Sequence, residues 1–333
     1  MLNEVTDKIV NVDQARSAGA KKLVEVNGRV QPGNRVVVVT DGTMPQIASD
    51  IVHAATGRGA RVSLMEMPER GCDGQEPPGD IAAEMKLADV IFSPVRRSIT
   101  HTRAMRAALD AGARAILMTA YTPDVMKSAA LLETDFEAQI DVCRRVGKAF
   151  TEGKELRLRS PHGTDLRFSI AGRVANVLTA IPSPGELAPV PTIEVNVVPV
   201  YQTAVGRLVA DASVPYLGIG VLTSPITCEI ADGYIQSIQG GEQAERLRND
   251  LESHRDRNCF NVAELGVGLN PHAELTGVML EDEGVLGTIH IGIGTSLTLG
   301  GEITAPTHYD LLMWHPQIEV DGQLIIDNRK ILL

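Results

Sequence analysis

The sequence predicts an α/β protein in which a parallel, doubly wound N-terminal domain is followed by a mixed, mainly antiparallel α+β domain. Two observations predict this fold class. The first half of the chain alternates β-branched runs with stretches of helical spacing, which is typical of βαβ units and a parallel sheet. After Gly153, short runs that alternate apolar and polar residues take over, separated by glycine and proline. We therefore expect two domains, 1–153 and 154–333, because 333 residues are enough for two cores.

The elements of the N-terminal half follow from local patterns. Arg35–Asp41 contains four consecutive valines, as in a strand that is buried on both faces. Pro45 is a good first residue for the helix that follows. The predicted order is helix Asp7–Val26, strand Arg35–Asp41, helix Pro45–Gly57, strand Arg61–Met67, helix Asp80–Ala88, strand Asp89–Val95, helix Thr102–Gly112, strand Ala113–Thr119, and helices Thr122–Leu132 and Asp135–Gly153.

The C-terminal half is predicted to be built from hairpins. Glu155–Arg159 and Asp165–Ile170 alternate strictly around a turn-forming segment, so they predict a first hairpin. Gln317–Ile331 predicts a second, which turns at Asp321 and Gly322. One helix, Gly241–Arg255, interrupts the β-rich runs between them.

Composition and charge narrow the classes of function. The net charge of −11 argues against nucleic acid and anionic membranes as partners, because both bind basic surfaces. The four cysteines are scattered, which argues against a disulfide framework or a cysteine-based zinc site. No run approaches the roughly 18 apolar residues of a membrane span, and the N-terminus lacks the pattern of a signal peptide. We therefore expect a cytoplasmic protein that binds a small molecule.

His308 and Asp310 form the first candidate site. Residues two apart on a strand share a face, so this imidazole and this carboxylate point the same way. Together they suit a divalent metal such as Zn, Fe, Mn or Co. A hydrogen-bonded pair on the surface is the alternative.

Three more candidates lie in the second half of the chain. His290 and Glu264 each interrupt an apolar run, where a buried polar group needs a partner. A hydrogen-bonded core histidine is the alternative for His290. Glycines at 292 and 294 leave room beside it for a close approach to the backbone. Glu186 follows a rigid Pro-Gly turn, and a solvated turn is its alternative.

His101 is the candidate in the first half. It follows the strand predicted to end at Val95, and loops at the carboxyl ends of parallel strands line the ligand crevice of an open sheet. We therefore expect His101 to face a substrate. The alternative is an exposed residue beside a helix cap at Thr100 or Thr102.

Taken in order, these segments resemble the M29 metallopeptidase family of thermophilic-type, or leucyl, aminopeptidases. The resemblance runs through most of the chain and rests on Pro-Gly-Glu186, Ala-Glu264-Leu-Gly-Val-Gly-Leu-Asn-Pro271, Asp282-Glu283, Gly-Thr-Ile-His290-Ile-Gly-Ile-Gly294, His308-Tyr-Asp310 and, in the first half, Ile99-Thr-His101-Thr-Arg103.

The resemblance implies a metal-dependent hydrolase that cleaves an amide or peptide bond of a small or short-peptide substrate. It implies one or two Zn, Co or Mn ions, with Glu264 or Glu186 as general base, Glu283 supporting a ligand, and a homodimer or larger homo-oligomer. The family's tyrosine corresponds to Leu297, which departs from the pattern. The implied metal ligands are Glu186, Glu264, His290, His308 and Asp310.

The scaffold also resembles the 2,5-dihydroxypyridine 5,6-dioxygenases, which are ring-cleaving non-haem iron enzymes. These enzymes have the same residue types at the positions of His308, Asp310 and His101. They have a histidine at the position of Glu264 and no histidine at the position of His290. This resemblance implies the alternative function: one Fe(II) held by His290, His308 and Asp310, with His101 shuttling protons. The third hypothesis is a metal-free binding protein, and it rests on Leu297, which stands where the aminopeptidase family has its tyrosine. We rank the hydrolase first.

Overall fold

A computed structural model describes residues 14–333 of the chain, which divide into two compact units. The first unit runs to Glu137 and includes Leu178–Pro191. The second comprises Ala138–Val177 and Thr192–Leu333. The helix predicted at Asp7–Val26 lies partly outside the described residues; residues 14–22 are helical and lead into a π-helical turn at Leu23–Asn27.

The elements alternate up to Leu132 and are mostly strands after Glu152. Those of the first part are β1 Arg35–Thr40, α1 Pro45–Gly57, β2 Arg61–Glu66, α2 Gly79–Lys86, β3 Val90–Ser93, α3 Arg103–Asp110, β4 Arg114–Leu117, a 3₁₀ turn Val125–Lys127 and α4 Ala129–Leu132. Helices α5, α6 and α7 are Phe136–Glu152, Glu242–Ser253 and Met279–Asp282, and further 3₁₀ turns are Arg257–Phe260 and Leu297–Leu299. Strands β5 to β20 are Glu155–Arg159, Asp165–Ser169, Asn176–Leu178, Leu187–Pro189, Glu194–Val197, Val205–Ala210, Ser213–Val214, Gly220–Val221, Ile226–Ala231, Tyr234–Gln239, Val262–Gly268, Thr288–Gly294, His308–Trp314, Gln317–Val320, Gln323–Asp327 and Lys330–Ile331.

The first unit is built on a parallel sheet of order β2-β1-β3-β4-β8. Strand β1, the second strand of this sheet, is buried on both faces because helices cover them, which explains the run of valines. Val37 and Val39 pack in one core with Ile81, Met85 and Met105. Helix α3 begins where Thr102 accepts a hydrogen bond from the backbone N–H of Met105. The predicted parallel α/β arrangement is confirmed.

The boundary between the units differs from the predicted cut at residue 153. Strand β8 returns to the first unit and pairs with β4, while α5 belongs to the second. The backbone of α5 at Gly147 lies against Val177 and Val195, which leaves no space for a side chain there. A three-residue strand carries no periodic signal, so only the change of texture after residue 153 was visible in the sequence.

The second unit contains three antiparallel arrangements. An eight-stranded sheet of order β14-β13-β10-β6-β5-β18-β19-β20 includes both predicted hairpins. Asp321 and Gly322 have positive φ at the tip of the second hairpin, as a two-residue turn requires. Strands β11 and β12 pair separately, and a five-stranded sheet has the order β17-β16-β15-β9-β7. In the described residues, no helix is long and apolar enough to cross a bilayer.

Candidate metal centre

The five-stranded sheet of the second unit has one apolar face and one polar face. Alternate residues of a strand point to opposite faces, and residues directly opposite on neighbouring strands share a face. Leu265, Ile291 and Leu311 therefore share the apolar face, and all three are fully buried. The polar face carries three rows in register: Gly266 with His290; Glu264 with Gly292 and Asp310; and Gly294 with His308.

Glycines on the polar face make room for the two histidine rings. A Cβ at position 266 would overlap Nε2 of His290 on the neighbouring strand. A Cβ at position 292 would lie 2.8 Å from Cε1 of His308 and 2.9 Å from Cβ of Glu264. Because real Cβ atoms do not approach so closely, both positions accept only glycine while the rings stay in place. The glycines of these strands thus hold open the space in which the polar side chains meet.

Two groups of potential ligand atoms form on this face and share Glu264. Glu194, Glu264 and His290 make one group, and Glu264, His308 and Asp310 make the other; within each group the ligand atoms lie within 4.8 Å of one another. In the first group, Nε2 of His290 lies 3.6 Å from Oε1 of Glu194 and 3.9 Å from Oε1 of Glu264. In the second group, Nε2 of His308 lies 3.0 Å from Oε2 of Glu264 and 3.5 Å from Oδ1 of Asp310.

Hydrogen bonds outside the two groups orient their members. Nδ1 of His308 lies 2.8 Å from the carbonyl oxygen of Thr295, to which it donates. When the ring is neutral, Nε2 therefore carries the lone pair, which is the state in which imidazole binds metals. Nδ2 of Asn196 donates to Oε1 of Glu194 at 2.6 Å, and Asn176 in turn donates to Asn196 at 2.8 Å.

The charges of the site are unusual for a protein interior. Burial raises the pKa of Glu194, and it also raises the pKa of Glu283 well above the ordinary value, with the charge of Asp310 adding to the effect. Burial alone would raise the pKa of Glu264, but hydrogen bonds from His290 and His308 outweigh it and bring that pKa below the ordinary value.

The two histidines respond to the carboxylates. Burial alone would lower the pKa of His290, but the charge of Glu194 outweighs it, and the pKa lies well above the ordinary value. The same holds for His308, whose pKa is raised chiefly by Asp310. Protons on these rings therefore occupy the place that a cation would take between the carboxylates.

The donor set fits a divalent metal ion. Four buried or partly buried carboxyl groups face two imidazoles, and once the four acids are ionised and the two rings are neutral the site has a buried excess of negative charge that needs a cation. Among the described residues, Oδ1 of Asp310 and Nδ1 of His290 are buried and have no hydrogen-bond partner. Oδ1 of Asp310 belongs to the second group of ligand atoms, where a metal ion would complete its contacts. Oxygen and imidazole ligands suit Zn, Mn, Co or Fe, and they do not choose among these metals.

The structure brings four of the five predicted ligands together, namely Glu264, His290, His308 and Asp310. Neither group, among residues 14–333, includes Glu186. Its side chain is exposed on the turn before β8, where it accepts a hydrogen bond of 2.9 Å from the backbone N–H of Ser183. Within the same residues, no group of three ligand atoms combines His290 with His308 and Asp310. Each group instead contains one histidine and two carboxylates.

The remaining predicted positions lie outside the two groups. His101 is exposed in the loop between β3 and α3 of the first unit. Leu297, the residue at the family's tyrosine position, is 55 % exposed in the 3₁₀ turn after β16. Glu283 is close to the centre, as the resemblance implies, because the hydroxyl oxygen of Tyr216 lies 3.2 Å from Glu283 and 2.7 Å from Asp310.

Sequence reasoning missed Glu194 and Tyr216. Glu194 lies with Asn196 among the apolar residues from Ile193 to Val198, and a carboxylate in such surroundings is the same kind of signal that pointed to Glu264. That signal could have found it. Tyr216 lies in the loop between β11 and β12, and a loop tyrosine has no pattern that predicts which strand it meets.

Comparison with known proteins decides the family. The family model described as 2,5-dihydroxypyridine 5,6-dioxygenase matches residues 21–332. The chain belongs to this family. The 2,5-dihydroxypyridine 5,6-dioxygenase of Pseudomonas putida is 25 % identical over 310 residues, which cover 85 % of this chain and 86 % of that protein. Membership of the dioxygenase family confirms the prediction that the chain is an enzyme.

Solved structures agree on the fold. The dioxygenase structure from Pseudomonas putida superposes with a TM-score of 0.82 at 21 % identity, covering 95 % of this chain and 96 % of the other. AmpT from Thermus thermophilus, an M29 aminopeptidase, superposes with a TM-score of 0.69 at 14 % identity, covering 96 % and 99 %. These likenesses show the fold alone, and they confirm both resemblances read from the sequence. The dioxygenase family is the one to which the chain belongs, so the aminopeptidase relationship is one of fold.

Proposed function

We propose that the protein is a non-haem Fe(II) dioxygenase that opens a hydroxylated pyridine-like ring. Family membership supports this proposal, which was the second hypothesis from the sequence. The observation that carries it is the group of Glu264, His308 and Asp310, whose ligand atoms lie within 4.8 Å of one another. These three residues would hold the iron at one side and leave its other positions for substrate and O₂.

The chain's own residues prepare this centre. The carbonyl of Thr295 fixes His308 with Nε2 toward Glu264 and Asp310. Asp310 is only 2 % exposed and Glu264 only 4 %, so water competes poorly for both carboxylates. Ferrous iron bound there would supply the electrons that activate O₂. The reaction breaks one ring carbon–carbon bond and places both oxygen atoms in the product, so it needs no external reductant.

His101 is the proposed acid–base residue. A hydroxylated ring must lose a proton from its hydroxyl before the ring opens, and an imidazole is suited to take it near neutral pH. His101 is exposed on the loop after β3, at the carboxyl edge of the parallel sheet.

The test is a metal and oxygen assay of the full chain. The protein is purified without chelators, its metals are counted by mass spectrometry, and it is then reconstituted anaerobically with Fe(II), Zn, Mn or Co. We expect activity on 2,5-dihydroxypyridine only with Fe(II), about one iron per chain, and one O₂ consumed per ring opened. With ¹⁸O₂, both labelled atoms should enter the product. Ring opening without O₂ uptake, or no reaction of any hydroxylated pyridine with the iron-loaded enzyme, would overturn the proposal.

A two-metal hydrolase is the second candidate, and one observation favours it. The two ligand groups share Glu264 and contribute one histidine each, which is the pattern of two ions bridged by a carboxylate. This candidate predicts about two Zn, Co or Mn ions per chain and cleavage of aminoacyl amides under anaerobic conditions. The same reconstituted samples decide between the two functions, because one requires O₂ and the other does not.

A further inference from the structure

The hydroxyl of Tyr216 lies between two carboxylates at the metal centre. It is 2.7 Å from Oδ2 of Asp310 and 3.2 Å from Oε1 of Glu283. A phenol hydroxyl has one proton to donate, and the shorter contact identifies Asp310 as its main acceptor. No sequence motif pointed to this residue.

The chain holds the Tyr216 ring in place from two sides. Tyr216 lies in the loop between β11 and β12, where Leu217 and Gly218 both have positive φ and turn the backbone sharply. Its ring packs against that of Tyr309, with 5.2 Å between the ring centroids and 42° between the planes. The packing orients the phenol, and the hydroxyl then meets Asp310.

The two carboxylate oxygens of Asp310 have different surroundings because only one of them accepts the hydrogen bond from Tyr216. Oδ2 accepts from Tyr216, whereas Oδ1 has no hydrogen-bond partner and lies 3.5 Å from Nε2 of His308. Oδ1 is therefore the atom that faces the other ligands. A carboxylate whose second oxygen is occupied binds a cation through one oxygen and cannot rotate to bind through both.

We propose that Tyr216 is a positioning residue of the metal centre, which fixes Asp310 as a one-oxygen ligand by hydrogen bonding to Oδ2. The inference rests on the proposed metal-dependent function and deepens it. In this role, Tyr216 limits the number of ligand atoms around the ion and contributes to the affinity of the protein for the ion. Glu283, which shares the same hydroxyl, limits the freedom of the phenol to turn away from Asp310.

The test compares Tyr216→Phe with Tyr309→Phe, using Co(II) as the probe ion. Both substitutions remove one hydroxyl and keep the ring, but the hydroxyl of Tyr309 donates to Asp250 at 2.9 Å and does not touch Asp310. Affinity is measured by competition with a chromophoric chelator, and coordination by the visible absorption of bound Co(II). Loss of a group that orients a metal ligand typically weakens binding about 10- to 100-fold.

We expect Tyr216→Phe to bind Co(II) about 10- to 100-fold more weakly and to shift its absorption toward a higher coordination number, because Oδ2 becomes free to bind. Tyr309→Phe should match the parent protein in both measurements. Parent-like affinity and absorption for Tyr216→Phe would overturn the inference. Equal losses in the two variants, with equal drops in melting temperature, would also overturn it, because they would show a packing role only.

Asp310→Asn separates this inference from the proposed function. If Asp310→Asn binds Co(II) as the parent does, Asp310 is not a ligand and the proposed centre itself fails. If Asp310→Asn loses the metal while Tyr216→Phe keeps it unchanged, the centre stands and only the positioning role of Tyr216 is refuted.

Discussion

At the scale of single residues, His308 and Asp310 are the ligands on which the centre depends most. Both belong to the same group of ligand atoms, and each lies beside a second member of it. We expect His308→Ala and Asp310→Asn to weaken Co(II) or Fe(II) binding by at least about 100-fold, because each removes a donor from the centre. His53→Ala is the control, since His53 is exposed on α1 and contacts Ser49. Equilibrium dialysis measures the loss, and stoichiometric metal in either variant would refute the ligand assignment.

Protons compete with the metal at His290 and His308. Both rings have a pKa raised well above the ordinary value, so at neutral pH each holds a proton that a cation must displace. Metal affinity should therefore fall as the pH falls. Between pH 8 and pH 6, we expect the apparent Kd for Co(II) to rise by up to about tenfold per pH unit for each proton released.

Calorimetric titration in buffers of different ionisation enthalpy counts the released protons directly. His308→Ala removes one of the two rings and should lower the number released in the same assay. An affinity that does not change with pH, together with no proton release, would show that the rings are already neutral before the metal arrives.

At the scale of elements, the glycines of β15 and β16 make the centre possible. A Cβ at position 266 would overlap the ring of His290. We expect Gly266→Ala to displace that ring, to cost about 1–3 kcal/mol of stability through overpacking, and to reduce metal binding. Gly79→Ala is the control, because a Cβ there meets nothing within 4 Å. Thermal unfolding and dialysis report both effects, and a parent-like Gly266→Ala protein would contradict this account of the sheet.

Strand patterns made most of the candidate site predictable, and their limits explain which of its residues were missed. Glu264 and His290 were found because a polar residue in an apolar strand needs a partner, and Glu194 carries the same signal. Glu186 was chosen in its place because its Pro-Gly turn matched a loose family motif. The apolar run around His290 indicated a buried polar side chain, but it could not show that Gly266 faces His290, because strand pairing is a non-local property. Tyr216 was out of reach for the same reason.

At the scale of the whole molecule, the fold class was predictable and the domain boundary was not. Repeated strands and helices of ordinary length identified the parallel sheet, and strict alternation identified both hairpins of the second unit. The boundary depended instead on β8, which has three residues and pairs with a strand far away in the sequence. The predicted homo-oligomer stays a prediction.

Because β8 belongs to the first unit, fragments of the chain with and without this strand should differ in stability. A fragment of residues 1–153 lacks β8, so the edge of β4 is left unpaired, and it carries α5 without the residues that α5 packs against. We expect this fragment to aggregate or to unfold without a cooperative transition, whereas residues 1–191 should retain a cooperative core. Circular dichroism melting and size-exclusion chromatography compare the two. A monomeric 1–153 fragment with a sharp transition would show that β8 is dispensable.

The position of β8 in the chain also has a consequence during synthesis. About 70 residues separate β4 from β8, and at roughly 5–20 residues per second the ribosome needs about 4–14 s to make them. During that interval the nascent polypeptide has an incomplete sheet, in which the edge of β4 that later pairs with β8 is unpaired. A chaperone that binds exposed strand edges would be able to bind β4 during this interval, before Asp310, the last proposed metal ligand in the sequence, is synthesised.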